Sequence, residues 1–135
     1  MKLTMLPFDH DDLIRVQCEG QLSLIGHAPT VDPLVQILGP RGFSRKVLMD
    51  LHQARGADTS GIAWLSRTTD RFHQNGGRFV MFAVPPIVEQ IVTVLGLAQH
   101  FVATLTESEA RIVALNGRDA DRRPAQVAEV APATN

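Results

Sequence analysis

Cysteine is almost absent from this sequence, because Cys18 is the only one among its 135 residues. A lone cysteine excludes a disulfide within the chain and any metal site built on paired thiolates. It also fits a reducing compartment, in which such residues stay as free thiols. We therefore predict that Cys18 is a small buried residue of a β-strand.

An excess of either charge is also lacking. The 13 Lys and Arg residues nearly balance the 14 Asp and Glu residues, which gives a formal net charge of -1. Such a chain has no overall positive field for phosphate backbones, so a direct nucleic-acid partner is not expected. No apolar run reaches the length of a membrane span, and a proline and acids interrupt the N-terminus before any signal-peptide core. The sequence predicts a cytoplasmic protein.

No motif in the sequence identifies an enzyme. No Gly-x-Ser-x-Gly turn surrounds Ser60, and residues 55–61 lack the glycine spacing and the lysine of a phosphate-binding loop. The histidines show no metal-ligand spacing, and the acids around His10 are expected to be solvated. We therefore predict a non-enzymatic protein that has no catalytic residue, cofactor or metal.

Periodic apolar residues predict strands that alternate with helices. Residues 13–24 alternate around a glycine and are interpreted as two short strands that form an antiparallel pair. Buried strands are predicted at 45–51, 78–84 and 100–106. Helices are predicted at 31–38 with Thr30 as the N-cap, at 60–75, at 86–95, and at 107–116 with a Thr106/Glu109 capping box.

This alternation favours a sheet whose strands are mostly parallel, with helices on one or both faces. The predicted fold is a single α/β domain over residues 1–116, with a mixed, mostly parallel β-sheet of about five strands and about four helices. Residues 117–135 are rich in Ala, Pro and charge and have no periodic apolar face. They are expected to form a disordered tail.

Residues 58–61, with the sequence DTSG, stand where a strand ends and a helix begins. Asp, Thr and Ser are common N-cap residues, and such a cap contributes on the order of 1 kcal/mol. One cap does not need three polar residues, however. A phosphate on Thr59 would meet the positive end of the helix dipole and add about two negative charges to the surface. The residues alone leave a simple cap and a phosphorylation switch equally open.

Four segments occur here in a characteristic order. They are VLMDL followed by an aspartate seven positions after Leu51, DTSG at a helix start, QNGGRFVMFAVPPIVEQIVTVLGL, and HFVATLTESEARIVAL. Together they resemble the STAS family, the domain shared by sulfate transporters and anti-sigma factor antagonists. The resemblance covers about residues 10–115 and implies the α/β fold of that family.

In the antagonist branch, the resemblance implies partner switching. The hydroxyl directly after the aspartate, here Thr59, would accept phosphate from a histidine-kinase-like ATPase that is also the anti-sigma factor, and Ser60 is the neighbouring candidate. Asp58 would orient the acceptor or contact the kinase. The unphosphorylated protein would bind the kinase and free the sigma factor, and a PP2C-type phosphatase would reset the phosphorylated form. The expected partner-binding residues are Asp58, Thr59, Ser60, Gly61 and Trp64. Trp64 lies one position off the apolar face of its helix, so partial burial in the core is the alternative to a half-exposed aromatic beside the switch.

Two features depart from the family pattern. Family members usually carry acids where this chain has Gln21 and Ser23, so a contact with a basic partner is expected to be missing. The small residues Gly56 and Ala57 stand where bulky apolar residues are usual. The thinner packing could change the mobility of the loop, open a small ligand pocket near Arg55–Ala57, or mark a divergent member.

Two alternative functions follow from the same resemblance. The chain could be an accessory STAS subunit of a membrane transport complex, which would bind an ATPase subunit without being phosphorylated. It could also be a small-molecule-sensing STAS domain. The broad apolar surface of residues 87–95 could be a self-association face, so a homodimer stands beside simple burial against the sheet.

Overall fold

The computed structural model describes residues 1–6, 13–26 and 31–116. The acidic segment around His10, the residue Thr30 and the predicted tail at 117–135 lie outside the described residues. Within the described part of the chain, no helix is long and apolar enough to cross a membrane.

Among the described residues, a single five-stranded sheet forms the centre of the molecule, with the strand order β1-β2-β3-β4-β5. β1 is antiparallel to β2, whereas the other three neighbouring pairs are parallel. The predicted mixed, mostly parallel sheet is therefore confirmed. The strands are β1 (Lys2–Leu6), β2 (Leu13–Leu22), β3 (Lys46–Ala57), β4 (Arg78–Phe82) and β5 (Ala103–Thr104).

The prediction of two short strands within residues 13–24 is wrong. Residues 13–22 form one continuous strand, and the antiparallel partner is β1 from the N-terminus. Gly20 has a φ of 86°, a conformation that glycine often supplies at turns. Here the glycine instead lies at a bulge in the β2–β3 pairing, where the strand bends without reversing.

Four helices cover the sheet, as predicted. They are α1 (Pro33–Leu38), α2 (Thr59–Gln74), α3 (Pro86–Val94) and α4 (Glu107–Asn116), and two short 3-10 turns occur at Gly42–Ser44 and Ala98–His100. The cap of α1 differs from prediction, because the carboxylate of Asp32 accepts the Leu34 N–H at 2.8 Å. The capping box of α4 is confirmed by two reciprocal bonds of 3.2 Å between Thr106 and Glu109.

The sheet has a core on each face. Residues of α1, α2 and α3 pack with Val16, Cys18 and Met49 on one face, while α4 packs on the other face against Leu48 and Val80. Cys18 is 0% exposed, which confirms the prediction of a buried strand residue.

β3 positions the DTSG segment. It pairs with β4 only as far as Asp50, but it continues along β2 to Ala57, well past the predicted end at residue 51. Asp58 follows directly and begins α2. The start of α2 is therefore attached to the end of β2, where Leu22 pairs with Ala57.

Candidate functional site

The carboxylate of Asp58 is the centre of a hydrogen-bond network at the start of α2. Its Oδ1 accepts the Gly61 N–H at 2.9 Å and the Ser60 hydroxyl at 2.6 Å. Its Oδ2 accepts the Ser23 hydroxyl at 2.5 Å. These donors hold the pKa of Asp58 below its ordinary value of 3.8, with Ser23 as the largest cause and Ser60 as the next. Asp58 is therefore a charged N-cap at neutral pH.

Ser60 uses its hydroxyl in both directions. The hydroxyl donates its only proton to Asp58 and accepts the backbone N–H of Leu24 at 2.9 Å. These two bonds connect the first turn of α2 to the segment that follows β2. Because this proton is already committed, Ser60 is a structural member of the network.

Thr59 is the first residue of α2, and its side chain is exposed. Its hydroxyl has no hydrogen-bond partner among the residues that the structure describes. Of the two neighbouring hydroxyls that the sequence offered as phosphate acceptors, only that of Thr59 is thus unengaged.

Gly61 is required by a close approach between two elements. A Cβ atom at this position would lie 2.0 Å from the carbonyl oxygen of Leu22, which is a backbone atom and cannot move aside like a side-chain tip. In the same region, the Asp58 N–H donates to that carbonyl at 3.0 Å. The fourth position of DTSG therefore lets α2 contact β2 directly.

Sequence reasoning missed the role of Ser23. In the sequence, Ser23 is notable only because family members usually carry an acid at this position. In the structure, its buried hydroxyl donates to Asp58 and also accepts the Ile25 N–H at 3.1 Å. An acid here would place a second negative charge against Asp58. The signal in the sequence was the combination of Asp58 with a neutral hydrogen-bond donor at position 23. The two residues are 35 positions apart, so nothing local links them.

Trp64 does not contribute to a partner surface, so that prediction is wrong. Its side chain is only 2% exposed, and its Nε1 donates to the Asp32 carboxylate at 3.3 Å. The indole belongs to the core on that face of the sheet, and its hydrogen bond joins α2 to the N-cap of α1.

The ligand space expected beneath residues 55–57 is occupied in part by a side chain. Gly56 is buried, and a Cβ atom there would lie 2.9 Å from Oε1 of Gln21. Gln21 therefore occupies the space beside Gly56, and whether a small ligand binds near Arg55–Ala57 stays an expectation. Ala57 instead lines a groove on the side of α3.

This groove lies between the start of α2 and α3, and we call it the Thr59 groove. It encloses about 370 Å³ and is lined by Ala57, Asp58, Thr59, Gln90, Ile91, Val94 and Leu95. Val94 is 79% exposed, and Ile25, on the segment that Ser23 attaches to Asp58, is 80% exposed. Thr59 thus lies at the edge of an apolar surface.

Other titratable side chains form pairs away from this groove. The buried Asp50 contacts Nδ1 of His52 at 2.9 Å, and Asp70 contacts Nε2 of His100 at 3.3 Å. In the described ranges, no group of three His, Cys, Asp or Glu side chains is arranged to hold a metal ion.

The sequence profile of the STAS domain matches residues 11–111. The chain belongs to the STAS domain family. No curated protein sequence matches it. The STAS assignment and the fold agree with three solved structures.

An anti-sigma factor antagonist from Mycobacterium paratuberculosis has 22% identity and a TM-score of 0.64, with 84% of this chain and 95% of that chain covered. A Thermotoga maritima protein provisionally assigned as an anti-sigma factor antagonist has 14% identity and a TM-score of 0.70, with 84% and 94% covered. The antagonist SpoIIAA in its unphosphorylated form has 16% identity and a TM-score of 0.56, with 86% and 97% covered. At these identities the likeness shows the shared STAS fold.

Proposed function

We propose that this STAS protein is an anti-sigma factor antagonist-like regulator, and that phosphorylation of Thr59 switches its affinity for an anti-sigma factor kinase. The observation that carries the proposal is the contrast between two adjacent hydroxyls. Ser60 is engaged as donor and acceptor, whereas Thr59 is exposed and has no partner in the described part of the chain. Solved antagonists with the same fold support the general role.

The unphosphorylated protein would bind its partner through the Thr59 groove. Exposed apolar side chains that cluster beside polar groups are typical of protein interfaces. Val94 and Leu95 are such side chains, and they line the groove together with Thr59. The role is binding rather than catalysis, because the chain contributes the acceptor and the docking surface while the kinase contributes the nucleotide.

Phosphorylation would transfer the γ-phosphoryl group of ATP to Oγ1 of Thr59. The new O–P bond forms as the bond to ADP breaks, and the hydroxyl proton passes to a base of the kinase. The product carries close to two negative charges next to the Asp58 carboxylate and at the edge of an apolar groove. Like-charge repulsion and desolvation would then weaken docking by about 100-fold, or roughly 3 kcal/mol. A PP2C-type phosphatase would restore the hydroxyl by hydrolysis.

The acceptor can be tested by intact mass spectrometry. Each histidine-kinase-like ATPase of the source organism that binds the purified chain is incubated with it and ATP. Wild type and Ser60→Ala should gain the mass of one phosphoryl group, and Thr59→Ala should gain none. Phosphate on Thr59→Ala, or none on wild type with every ATPase that binds, would refute the assignment.

The effect of charge can be separated from that of side-chain shape. Thr59→Glu and Thr59→Gln have side chains of similar size, and only the first carries a charge. We expect Thr59→Glu to bind the kinase at least about 10-fold more weakly than Thr59→Gln. Equal affinities would instead favour an accessory subunit that binds its ATPase without a phosphorylation switch.

A further inference from the structure

A second cavity lies on the other side of α3, away from Thr59. It encloses about 550 Å³ between α3, the ends of β4 and β5 and the 3-10 turn at Ala98–His100. This volume is within the range of small-molecule sites. We propose that this cavity, which we call the α3–β5 cavity, binds a small amphiphile with an apolar body and a neutral or positively charged head group.

The apolar walls of the cavity favour a ligand with an apolar body. Met81 and Phe101 are buried core residues that form its deeper part, and Val92 and Ala103 add partly buried apolar surface. An apolar ligand that covers these walls gains free energy in proportion to the area removed from water. The site thus has the mainly apolar lining that is usual for small-molecule pockets.

The polar side chains of the cavity favour a neutral or positively charged head group on the ligand. Those with side-chain polar atoms are Glu89, Gln90 and Thr93, and all three are on α3. The Thr93 hydroxyl already donates to the Glu89 carbonyl at 2.9 Å. Among the described residues of the lining, Glu89 is the only charged side chain and none is basic. A carboxylate accepts hydrogen bonds, so an amine or hydroxyl head is favoured over an anionic one.

α3 is attached weakly enough to respond to a ligand. Val88 is its only buried residue, and its N-cap residue, Pro85, makes no side-chain cap bond. Ala83, just before the helix, has a φ of 56°, which is strained for a residue with a Cβ atom. Ile91 and Val92 are partly buried against the core, so the helix is held chiefly by three side chains of one face. Most helical stability in proteins comes from tertiary packing, so we expect a helix with this limited contact to shift when a ligand enters beside it.

The cavity and the Thr59 groove share residues. Gln90 and Val94 line both spaces, which therefore lie on two sides of the same helix. A ligand that moves α3 outward would change the shape of the Thr59 groove. This regulatory step rests on the proposed function of Thr59, whereas binding in the cavity does not.

Binding is tested on the unphosphorylated full chain without any partner. Decylamine, decanol and decanoate are titrated by calorimetry below their critical micelle concentrations, and the contacted residues are located by amide NMR shifts. We expect saturable binding of the amine and the alcohol, with shifts in α3 and around Phe101–Ala103. Decanoate should bind at least about 10-fold more weakly than the amine.

Variants assign the binding to the cavity. Ala103→Phe fills it and should abolish binding, and Ala98→Phe at the more exposed turn serves the same purpose if the first variant does not fold. Ala63→Leu on α2 lines neither space and should bind as wild type. Glu89→Gln should weaken decylamine binding by about 10-fold and decanol binding much less, because the amide oxygen still accepts a hydrogen bond from the alcohol but carries no charge.

Three results would overturn the site: no saturable binding of either probe, unchanged binding to a folded cavity-filling variant, or NMR shifts that avoid α3. The regulatory step is judged separately, by whether decylamine changes the rate at which the kinase phosphorylates Thr59. If Thr59 proves not to be a phosphate acceptor, the proposed switch fails, while the binding experiments still decide whether the cavity is a ligand site.

Discussion

At the scale of single residues, the acidity of Asp58 depends on hydroxyls contributed by two different elements. We expect Ser23→Ala to raise the pKa of Asp58 towards 3.8, because Ser23 is the largest cause of its lowering. A carbon-detected NMR titration of the Asp58 carboxyl group measures this directly. Ser44→Ala is the matched control, since its hydroxyl donates to the Arg41 carbonyl and not to a carboxylate.

The same variant changes stability in a way that depends on pH. The pKa of Asp58 is lower in the folded chain than in the unfolded chain, so its charged form stabilises the fold above the unfolded pKa of about 3.8. That stabilisation is lost as the pH falls through the lower, folded pKa. In urea unfolding, Ser23→Ala should cost about 1–2 kcal/mol at pH ~6 and less at pH ~2.5. A cost that does not change with pH would contradict this account.

Two adjacent threonines of α2 differ in how their hydroxyls are satisfied. Thr68 is buried, and its Oγ1 has no hydrogen-bond partner among the described residues, whereas Thr69 donates to the Leu65 carbonyl at 2.9 Å. A buried unpaired hydroxyl costs about 1–3 kcal/mol. Thr68→Val should therefore raise the free energy of unfolding by about 1 kcal/mol, and Thr69→Val should not raise it. A loss of stability in Thr68→Val would show that its hydroxyl is satisfied.

At the scale of secondary-structure elements, the junction of β2 with α2 depends on one glycine. Gly61→Ala would force a Cβ atom against the Leu22 carbonyl, so we expect it to cost at least about 3 kcal/mol or to prevent folding. Gly76→Ala is the comparison, because its φ is 78° and no atom of the described residues lies within 4 Å of its Cβ position. It should cost only about 1–2 kcal/mol. Thermal unfolding of the two variants measures both losses of stability, and equal losses would contradict the packing argument.

Elements whose signals are local were predictable, and contacts between distant segments were not. The capping box of α4 spans four residues, so both partners are visible in the sequence. The pairing of β1 with β2 and the bond between Ser23 and Asp58 join segments that only the folded chain brings together. Trp64 belongs here too, since its indole binds Asp32, 32 residues away, and lies in the core although it is off the apolar stripe of α2.

The DTSG segment shows both cases within four residues. A cap from one of the three polar residues follows from the residue types and from their place before a helix, and the structure shows that the N-cap is Asp58. The difference between Thr59 and Ser60 could not be predicted from composition, because it depends on which hydroxyl meets the backbone of residue 24.

At the scale of the whole molecule, the sheet is covered on both faces and Cys18 lies inside it. The thiol is 0% exposed in β2, and burial raises its pKa from 9.0 to about 11, with a small opposing effect of the N-terminal ammonium group. A thiol reagent such as 5,5'-dithiobis(2-nitrobenzoate) should therefore react only when the fold opens. At neutral pH, the rate of the reaction between Cys18 and the reagent should fall in variants that raise the free energy of unfolding.

The same thiol makes the fold sensitive to alkali. The pKa of Cys18 is higher in the folded chain, so its protonated thiol contributes to the free energy of unfolding. That contribution is complete below the unfolded pKa of about 9 and is lost as the pH rises through about 11. Over this range the unfolded chain ionises first. Each pH unit between the two pKa values corresponds to about 1.4 kcal/mol, so wild type should lose about 2–3 kcal/mol relative to Cys18→Ala between pH ~8 and pH ~11.

Urea unfolding of both chains at several pH values measures this difference, and the subtraction removes the titration of the other groups. Cys18→Ala should be the less stable chain at pH ~8, because it leaves a small cavity, and the gap should narrow as the pH rises. A constant gap would mean that the unfolded and folded chains ionise alike, and thus that the centre of the sheet admits water to Cys18.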